Sequence, residues 1–386
     1  MIGRTESEVV AGRINGSAGP VAHEVSPRQD GHAPDSAQNG HATDGIPDVL
    51  RFAVVGCGYW GGNYLRIMNE VSGSEVVGVC DQRPERLREI ASRLHVATTT
   101  EIRDLLERDD VNAMILCTEA TSHFRLARLC LEAGKHLLVE KPLTTTTAEA
   151  DELIRLAREN GLTLMVGHTF LYNPAVRKIK EYVVNNELGR VYYLYARRTN
   201  LGPIRHDVNA VWDLASHDVS IFNYLLDSTP EWVSAVGAKV LQNGREDVGF
   251  ASLGYANGVV AHVHVSWADP NKVREVVVVG SDRRVVFNDV DTLEKVRIFE
   301  KGVSEVVREN GSPNTFEHHL LMRDGDIISP QVPAEEPLKT QFLHFMECIA
   351  TGSEPLTGGP LGREVVRTML AIDRSIRRQG APVDVI

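Results

Sequence analysis

No stretch of this 386-residue chain reaches the roughly 18 consecutive apolar residues that a membrane-spanning helix needs. Its first ten residues, Met1 to Val10, lack the basic-then-apolar order of a secretory signal. Positive charge is the minority sign: 41 Lys and Arg stand against 52 Asp and Glu, a formal net charge of −11. Nucleic acid or an anionic membrane surface would demand a basic face, so neither is expected as a partner. Cysteine is scarce. The five residues Cys57, Cys80, Cys117, Cys130 and Cys348 show no zinc-ligand spacing, and five is an odd number for a disulfide framework. These absences predict a cytoplasmic protein with reduced thiols, no structural metal, and a small molecule as its partner.

The chain is long for one hydrophobic core, so two domains are expected. Residues 1–46 stand apart. They are rich in Gly, Ala, Ser, His and Asp and show no helical or strand period. Such a segment cannot bury enough apolar area to offset its ordering entropy, and a disordered tail is expected there. The spaced histidines His23, His32 and His41 read as low-complexity sequence rather than a metal site. From residue 47 to about 169, apolar runs at 50–55, 75–80, 112–117, 136–139 and 162–166 alternate with helical stretches near 61–71, 84–93, 101–107, 121–133 and 147–159. Strict alternation predicts an α/β domain, a doubly wound parallel sheet with helices on both faces. Residues 170–386 read differently. Helices at 174–186 and 207–226 precede seven strand-like runs between 190 and 300, and helices at 338–351 and 360–379 close the chain. This predicts an α+β domain on an open, mostly antiparallel sheet, its bare face a candidate subunit interface.

The first strand runs directly into Gly56-Cys57-Gly58-Tyr59-Trp60-Gly61, a G-x-G-x-x-G turn that opens a helix. Gly56 permits the tight turn, Gly58 lets backbone approach a pyrophosphate, and Gly61 allows close helix–strand packing. Tyr59 and Trp60 belong to the same cofactor loop. Twenty residues after Gly61, Asp81 ends the second strand, where a carboxylate binds ribose hydroxyls and repels a 2′-phosphate. NAD is therefore favoured over NADP, although Arg83 and Arg86 just downstream offer charge to a 2′-phosphate. Two later strand ends share the carboxyl edge where ligands bind in such sheets. One carries Thr118 and His123, candidates for cofactor contact. The other carries Glu140-Lys141-Pro142, where proline restricts Lys141 to extended backbone and leaves the cis peptide open. A lysine there can polarise a substrate oxygen and share its proton.

Asp213 and His217 fall at i and i+4 on an expected helix of the second domain. A carboxylate one turn from an imidazole can orient it, which suits general acid/base work on an alcohol or ketone. Asp218 lies further round and is read as structural. Arg197, Arg198 and Arg205 are candidates for binding a diphosphate or carboxylate. His262 and His264, at i and i+2 on one strand, read as a polar sheet face rather than a metal pair. His318-His319 supports nothing specific.

Together the glycine turn, Thr118 with His123, Glu140-Lys141-Pro142 and Asp213-x-x-x-His217 resemble the glucose-fructose oxidoreductase / inositol dehydrogenase / rhizopine-catabolism (Gfo/Idh/MocA) family. The similarity runs from about Leu50 to the C-terminus; Glu119-Ala120 departs from the proline often found after that strand end. The resemblance implies a Rossmann domain, a second domain whose open sheet mediates dimers or tetramers, and Lys141, Asp213 and His217 at catalytic positions. Gly167-His168-Thr169-Phe170-Leu171-Tyr172-Asn173-Pro174, and Arg198-Thr199-Asn200 leading to Asn209, are most similar to the branch that oxidises UDP-linked amino sugars and their uronic acids at C3. This implies Tyr172, Arg198, Asn200, Arg205 and Asn209 at the substrate. The expectation is an NAD-dependent dehydrogenase or reductase of a sugar or nucleotide sugar. Its rivals are an inositol or free-sugar dehydrogenase, an NAD-assisted glycoside hydrolase, and a non-catalytic NAD-sensing regulator.

Overall fold

The computed structural model describes residues 49–241, 244–308 and 317–386, with side chains left out at 303–321. The expected tail at 1–46 and the side chains of His318 and His319 lie outside these descriptions. Six parallel strands form the first sheet: β1 (Leu50–Val55), β2 (Ser74–Cys80), β3 (Ala97–Thr99), β4 (Ala113–Leu116), β5 (His136–Val139) and β6 (Leu164–Val166). Their order, β3-β2-β1-β4-β5-β6, is the doubly wound order of the Rossmann fold. Strand β1 is buried on both faces apart from Arg51, as parallel sheets covered by helices require. The helices are α1 (Tyr59–Glu70), α2 (Pro84–Ala91), α3 (Ile102–Leu106), α4 (Ala120–Glu132) and α5 (Thr147–Glu159). Helix α5 begins with a full capping box between Thr146 and Glu149. The five expected strands are present. The sixth, β3, pairs only with β2 and is three residues long, too short to show a period in sequence.

The second half starts with a 3-10 turn (Thr169–Tyr172) and α6 (Pro174–Val184). Next come β7 (Val191–Leu201), a π turn (Val211–Ala215), α7 (Ser216–Leu226), β8 (Pro230–Ala238), β9 (Val248–Tyr255), β10 (Val260–Ser266), β11 (Ala268–Gly280), β12 (Arg284–Asn288) and β13 (Val296–Phe299). A separate hairpin, β14 (Gly302–Arg308) with β15 (Glu317–Arg323), and β16 (Ile327–Ile328) follow. Then α8 (Pro337–Thr351), α9 (Gly359–Arg377) and β17 (Val383–Asp384) close the chain. The large sheet is ordered β16-β13-β12-β11-β7-β10-β9-β8-β17, and only the β7–β10 pair is parallel. The α+β expectation therefore holds, except that the helix expected from residue 207 begins only at Val211.

One core lies between this sheet and the helices α6, α7 and α9, which contribute Ile179, Phe222 and Met369 among others. Helix α8 goes elsewhere: Phe342 and Phe345 pack on Phe52 of β1, with ring centroids 5.0 and 6.3 Å apart. The C-terminal segment thus serves both sheets. The far face of the large sheet carries exposed Tyr193, Trp232, Val236, Phe250 and Val260. His262 and His264 lie among them, His264 stacked on Phe250 at 4.4 Å. No helix among the described residues is long and apolar enough to cross a membrane, and no group of three or more His, Cys, Asp or Glu among them is arranged to hold a metal ion.

Candidate active site

The strand order reverses between β1 and β4, and the glycine turn sits at that point. Gly56 has φ +85°, and a Cβ there would stand 2.7 Å from the Cys117 carbonyl oxygen, so both conformation and space require glycine. A Cβ on Gly61 would overlap the Gly56 carbonyl. Gly58 faces open space, and α1 has neither a side-chain cap nor an acidic residue in its first turn. Its free N–H groups and positive dipole end are left for an anion. Asp81 closes this end. Its Oδ2 accepts from the Cys57 N–H at 2.7 Å, and Arg83 forks onto the carboxylate with both bonds at 2.9 Å. Burial alone would raise the Asp81 pKa, but these donors outweigh it and hold the carboxyl below its ordinary range. The open glycine, the free helix end and the ionised Asp81 fit pyrophosphate and ribose. Tyr59 and Trp60 line the same space, ring centroids 5.3 Å apart. Arg86 is engaged by the Cys57 carbonyl at 2.6 Å and by Glu89.

The cleft that begins here has a volume of about 1770 Å³. Drug-sized ligand pockets run from about 300 to 1,000 Å³, so it has room for a dinucleotide and a second molecule. Thr118 lines it, its Oγ1 accepting from the Ser122 hydroxyl at 2.7 Å. His123 does not. Its imidazole is buried with Nδ1 2.7 Å from the Pro142 carbonyl oxygen and Nε2 3.1 Å from that of Thr118. The expected cofactor contact is thus corrected: His123 braces two strand-end loops against each other from behind the cleft.

Glu140 faces the cleft from β5, buried, with Oε1 accepting from the Tyr64 hydroxyl at 3.1 Å. That hydroxyl accepts in turn from Gln341 Nε2 of α8 at 2.6 Å. Burial pushes the Glu140 carboxyl up to about 7, against the opposing pull of Lys141 and Tyr64. A carboxyl raised in the folded state favours folding fully below its unfolded value, and that contribution is lost as pH rises through the folded value. Glu140→Gln keeps an acceptor for Tyr64 and removes the titration. The melting-temperature advantage of this variant over wild type should therefore grow from about pH 5 to about pH 8 and then level. A difference that stays flat with pH would refute the shift.

Lys141 follows Glu140, and its peptide bond to Pro142 is cis. Its side chain is buried, and Nζ donates to the Asp213 carbonyl at 2.8 Å and to Asp213 Oδ1 at 3.0 Å. Asp213 also receives Arg205 Nη1 at 3.2 Å and Trp267 Nε1 at 3.3 Å. Burial would raise the Asp213 pKa, but Lys141 and Arg205 overcome this and keep the carboxyl below its usual range. The expectation that Asp213 orients His217 is corrected by this geometry. The helix is widened into a π turn at Val211–Ala215, and the carboxylate turns to two cations rather than to a neutral ring. His217 lines the cleft with its Nδ1 buried and unpartnered, and Phe170 meets the ring edge to face at 5.1 Å. Burial first, then the charges of Lys141 and Arg198, drive its pKa well below the ordinary 6.5. At neutral pH the imidazole is a free base. His168 lies near this group, also buried and pushed down to about 3 by burial and by Lys141, with neither ring nitrogen hydrogen-bonded.

The substrate-end expectations divide. Arg198, Asn200 and Arg205 line the cleft. Arg198 is already committed: it forks onto buried Asp218 with bonds of 2.7 and 3.2 Å and lies 4.3 Å over the Phe170 ring. Asn200 donates to the Gly202 carbonyl, and Arg205 pairs with Asp207 at 2.9 Å as well as with Asp213. Tyr172 is corrected. The 3-10 turn sends it into the core, fully buried, with its hydroxyl 3.2 Å from the Thr357 hydroxyl. Phe170 and Asn173 face the cleft instead. Asn209 is corrected too: it accepts from the Trp212 N–H at 2.9 Å and donates to Glu246, which makes it a helix cap. Arg197 points to the bare sheet face opposite His264. Trp267, Arg274 and Asp289 were not anticipated, yet all three line the cleft. They stand on or beside β11 and β12; strand register, which no local pattern encodes, sets Arg274 opposite Arg198, while Trp267 donates to Asp213 and Asp289 pairs with Arg274.

Comparison with known proteins agrees with this fold. Residues 50–168 match the oxidoreductase family with an NAD-binding Rossmann fold, and residues 176–286 match the GFO/IDH/MocA C-terminal domain. The UDP-N-acetylglucosamine 3-dehydrogenase of Acidithiobacillus ferrooxidans is 28% identical over 327 residues, covering 84% of this chain and 96% of its own. A solved structure of that enzyme, 27% identical, superposes with a TM-score of 0.72 over 85% of this chain and 98% of that one. The myo-inositol 2-dehydrogenase of Thermotoga maritima is 24% identical, covering 86% and 97%. The WlbA dehydrogenase from Bordetella pertussis, solved with NADH and UDP-GlcNAcA, shares the fold at 20% identity and a TM-score of 0.72, covering 87% and 99%.

Proposed function

The chain belongs to the Gfo/Idh/MocA family of NAD-binding oxidoreductases, and from that premise we propose that it moves hydride between NAD and a secondary alcohol or ketone at carbon 3 of a nucleotide-linked sugar. The observation that carries this reading is the meeting of Lys141 and His217 in the cleft that the glycine turn and Asp81 open. When bound, NAD supplies the hydride acceptor. The free α1 end and Asp81 would hold its pyrophosphate and ribose. His217, a free base at neutral pH, takes the proton of the substrate hydroxyl as the alcohol is oxidised. Lys141 donates a hydrogen bond to the same oxygen and stabilises the negative charge that grows there. Asp213 acts through Lys141, fixing Nζ by its carbonyl and carboxylate. In the reductive direction the same groups run in reverse, His217 returning the proton.

The similarity to a UDP-N-acetylglucosamine 3-dehydrogenase supports the nucleotide-sugar reading. A thermal-shift screen of NAD-saturated protein against UDP-sugars, dTDP-sugars, free hexoses and inositols tests it. Selective stabilisation by UDP-sugars, followed by NADH formation with the same compounds, is expected; a preference for inositols would overturn the assignment. A cytoplasmic location is consistent with five unpaired cysteines. The partner proposed for the bare sheet face is a second copy of the chain, because Tyr193, Trp232, Phe250 and Val260 expose contiguous apolar area there. Sedimentation should show a dimer or tetramer that Phe250→Glu dissociates. A wild-type monomer at micromolar concentration would refute it.

A further inference from the structure

Three arginines line the substrate end of the cleft, and two are already neutralised. Arg198 is forked onto Asp218, and Arg205 is divided between Asp207 and Asp213. Arg274 differs. Its side chain is 40% exposed, and its charged partner is Asp289, with Nη1 3.5 Å from Oδ2, beyond normal hydrogen-bond length. Asp289 is itself fixed: its N–H donates to the Arg274 carbonyl at 2.9 Å, and its Oδ1 accepts from Asn173 Nδ2 at 3.3 Å. The carboxylate steadies the guanidinium from one side and leaves its fork of N–H donors for another acceptor.

The position of Arg274 follows from the β11–β7 ladder, in which it stands directly opposite Arg198. Arg198 lies over Phe170, and Phe170 meets His217. The positive charge of Arg274 is also felt at His217 and Asp218. An anion held here would belong to the sugar that reacts, not to a remote part of the ligand. We infer that Arg274 is the anion clamp of this site and that it receives a carboxylate carried by the sugar ring, which makes the substrate a nucleotide-linked hexuronate. A planar guanidinium matches a carboxylate in two parallel hydrogen bonds, a fit that a neutral hydroxymethyl group cannot use.

The inference rests on the nucleotide-sugar reading above, so its test separates the two. With Arg274→Met, KM for UDP-N-acetylglucosaminuronate should rise about 30- to 100-fold, the loss expected for a charge-assisted pair. The rise should exceed that for UDP-N-acetylglucosamine at least about tenfold, with NADH affinity held and partial rescue by Arg274→Lys. An equal rise for both substrates would assign Arg274 to the shared diphosphate and overturn the carboxylate clamp; no rise for either would also overturn it. Failure of wild-type protein to turn over any nucleotide sugar would count against the substrate reading instead. Free glucuronate and glucose then probe the clamp by thermal shift of NAD-saturated protein. Stabilisation by glucuronate alone, abolished in Arg274→Met, supports it, and indifference of the wild type to glucuronate overturns it.

Discussion

Lys141→Met should lower turnover by about a thousandfold while leaving NADH binding within about threefold of wild type. Lys141 is buried, and methionine fills most of its stem volume without adding a polar atom. Removing one member of a buried ion pair is often severe, because the other charge is left uncompensated. Here Asp213 keeps Arg205 at 3.2 Å and the Trp267 indole at 3.3 Å, so the fold should survive. What disappears is the ammonium proposed above to meet the substrate oxygen. The loss should fall on kcat, since that hydrogen bond strengthens as charge develops on the oxygen. Steady-state kinetics with the UDP-sugar that the wild-type protein turns over, alongside fluorescence titration with NADH, measures both numbers. Turnover near wild type would remove Lys141 from the mechanism, and loss of NADH binding would reassign it to the cofactor.

How far this site was legible in the sequence depends on the range of the interactions. The glycine turn and Asp81 are read within one βαβ unit, where strand, turn and helix follow each other along the chain, and they stand where that reading put them. Lys141 was legible for the same reason: a strand end and a following proline are neighbours in sequence. Tyr172 was misread because nearness along a motif does not say which way a 3-10 turn faces. Its neighbours Phe170 and Asn173 reach the cleft, while Leu171 and Tyr172 are buried. Asn209 was polar and just ahead of a helix, and capping was the simpler use for it. Asp213 was read against its sequence neighbour His217, yet its strongest partner lies 72 residues upstream. Arg274 left no local trace at all, because its opposite number Arg198 is set by an antiparallel ladder with an irregular register near residue 273. Local chemistry was visible, and pairing across sheets was not.

The correction at Asp213 leads to the second large effect. His217→Gln should lower turnover by about a hundred- to ten-thousandfold, because glutamine occupies similar space and cannot take the substrate proton. Asp213→Asn should cost about ten- to a hundredfold by loosening Nζ, and the two lesions differ in what they couple to. If Asp213 serves Lys141, adding Asp213→Asn to Lys141→Met should cost almost nothing further, since the group it positions is already gone. Added to His217→Gln, it should exact nearly its full single-variant penalty. Had Asp213 oriented the imidazole, the pattern would be reversed, with the loss vanishing in the His217→Gln background and persisting beside Lys141→Met. Single-turnover rates on wild type, the three single variants and the two double variants separate these outcomes. The contacts favour the first: Asp213 touches Lys141 twice, while the His217 Nδ1 is buried without a hydrogen bond. An imidazole with no carboxylate behind it does not depend on an ion pair for its tautomer. Burial and the positive charges around it lower its basicity, and they keep it unprotonated at neutral pH and so free to accept a proton.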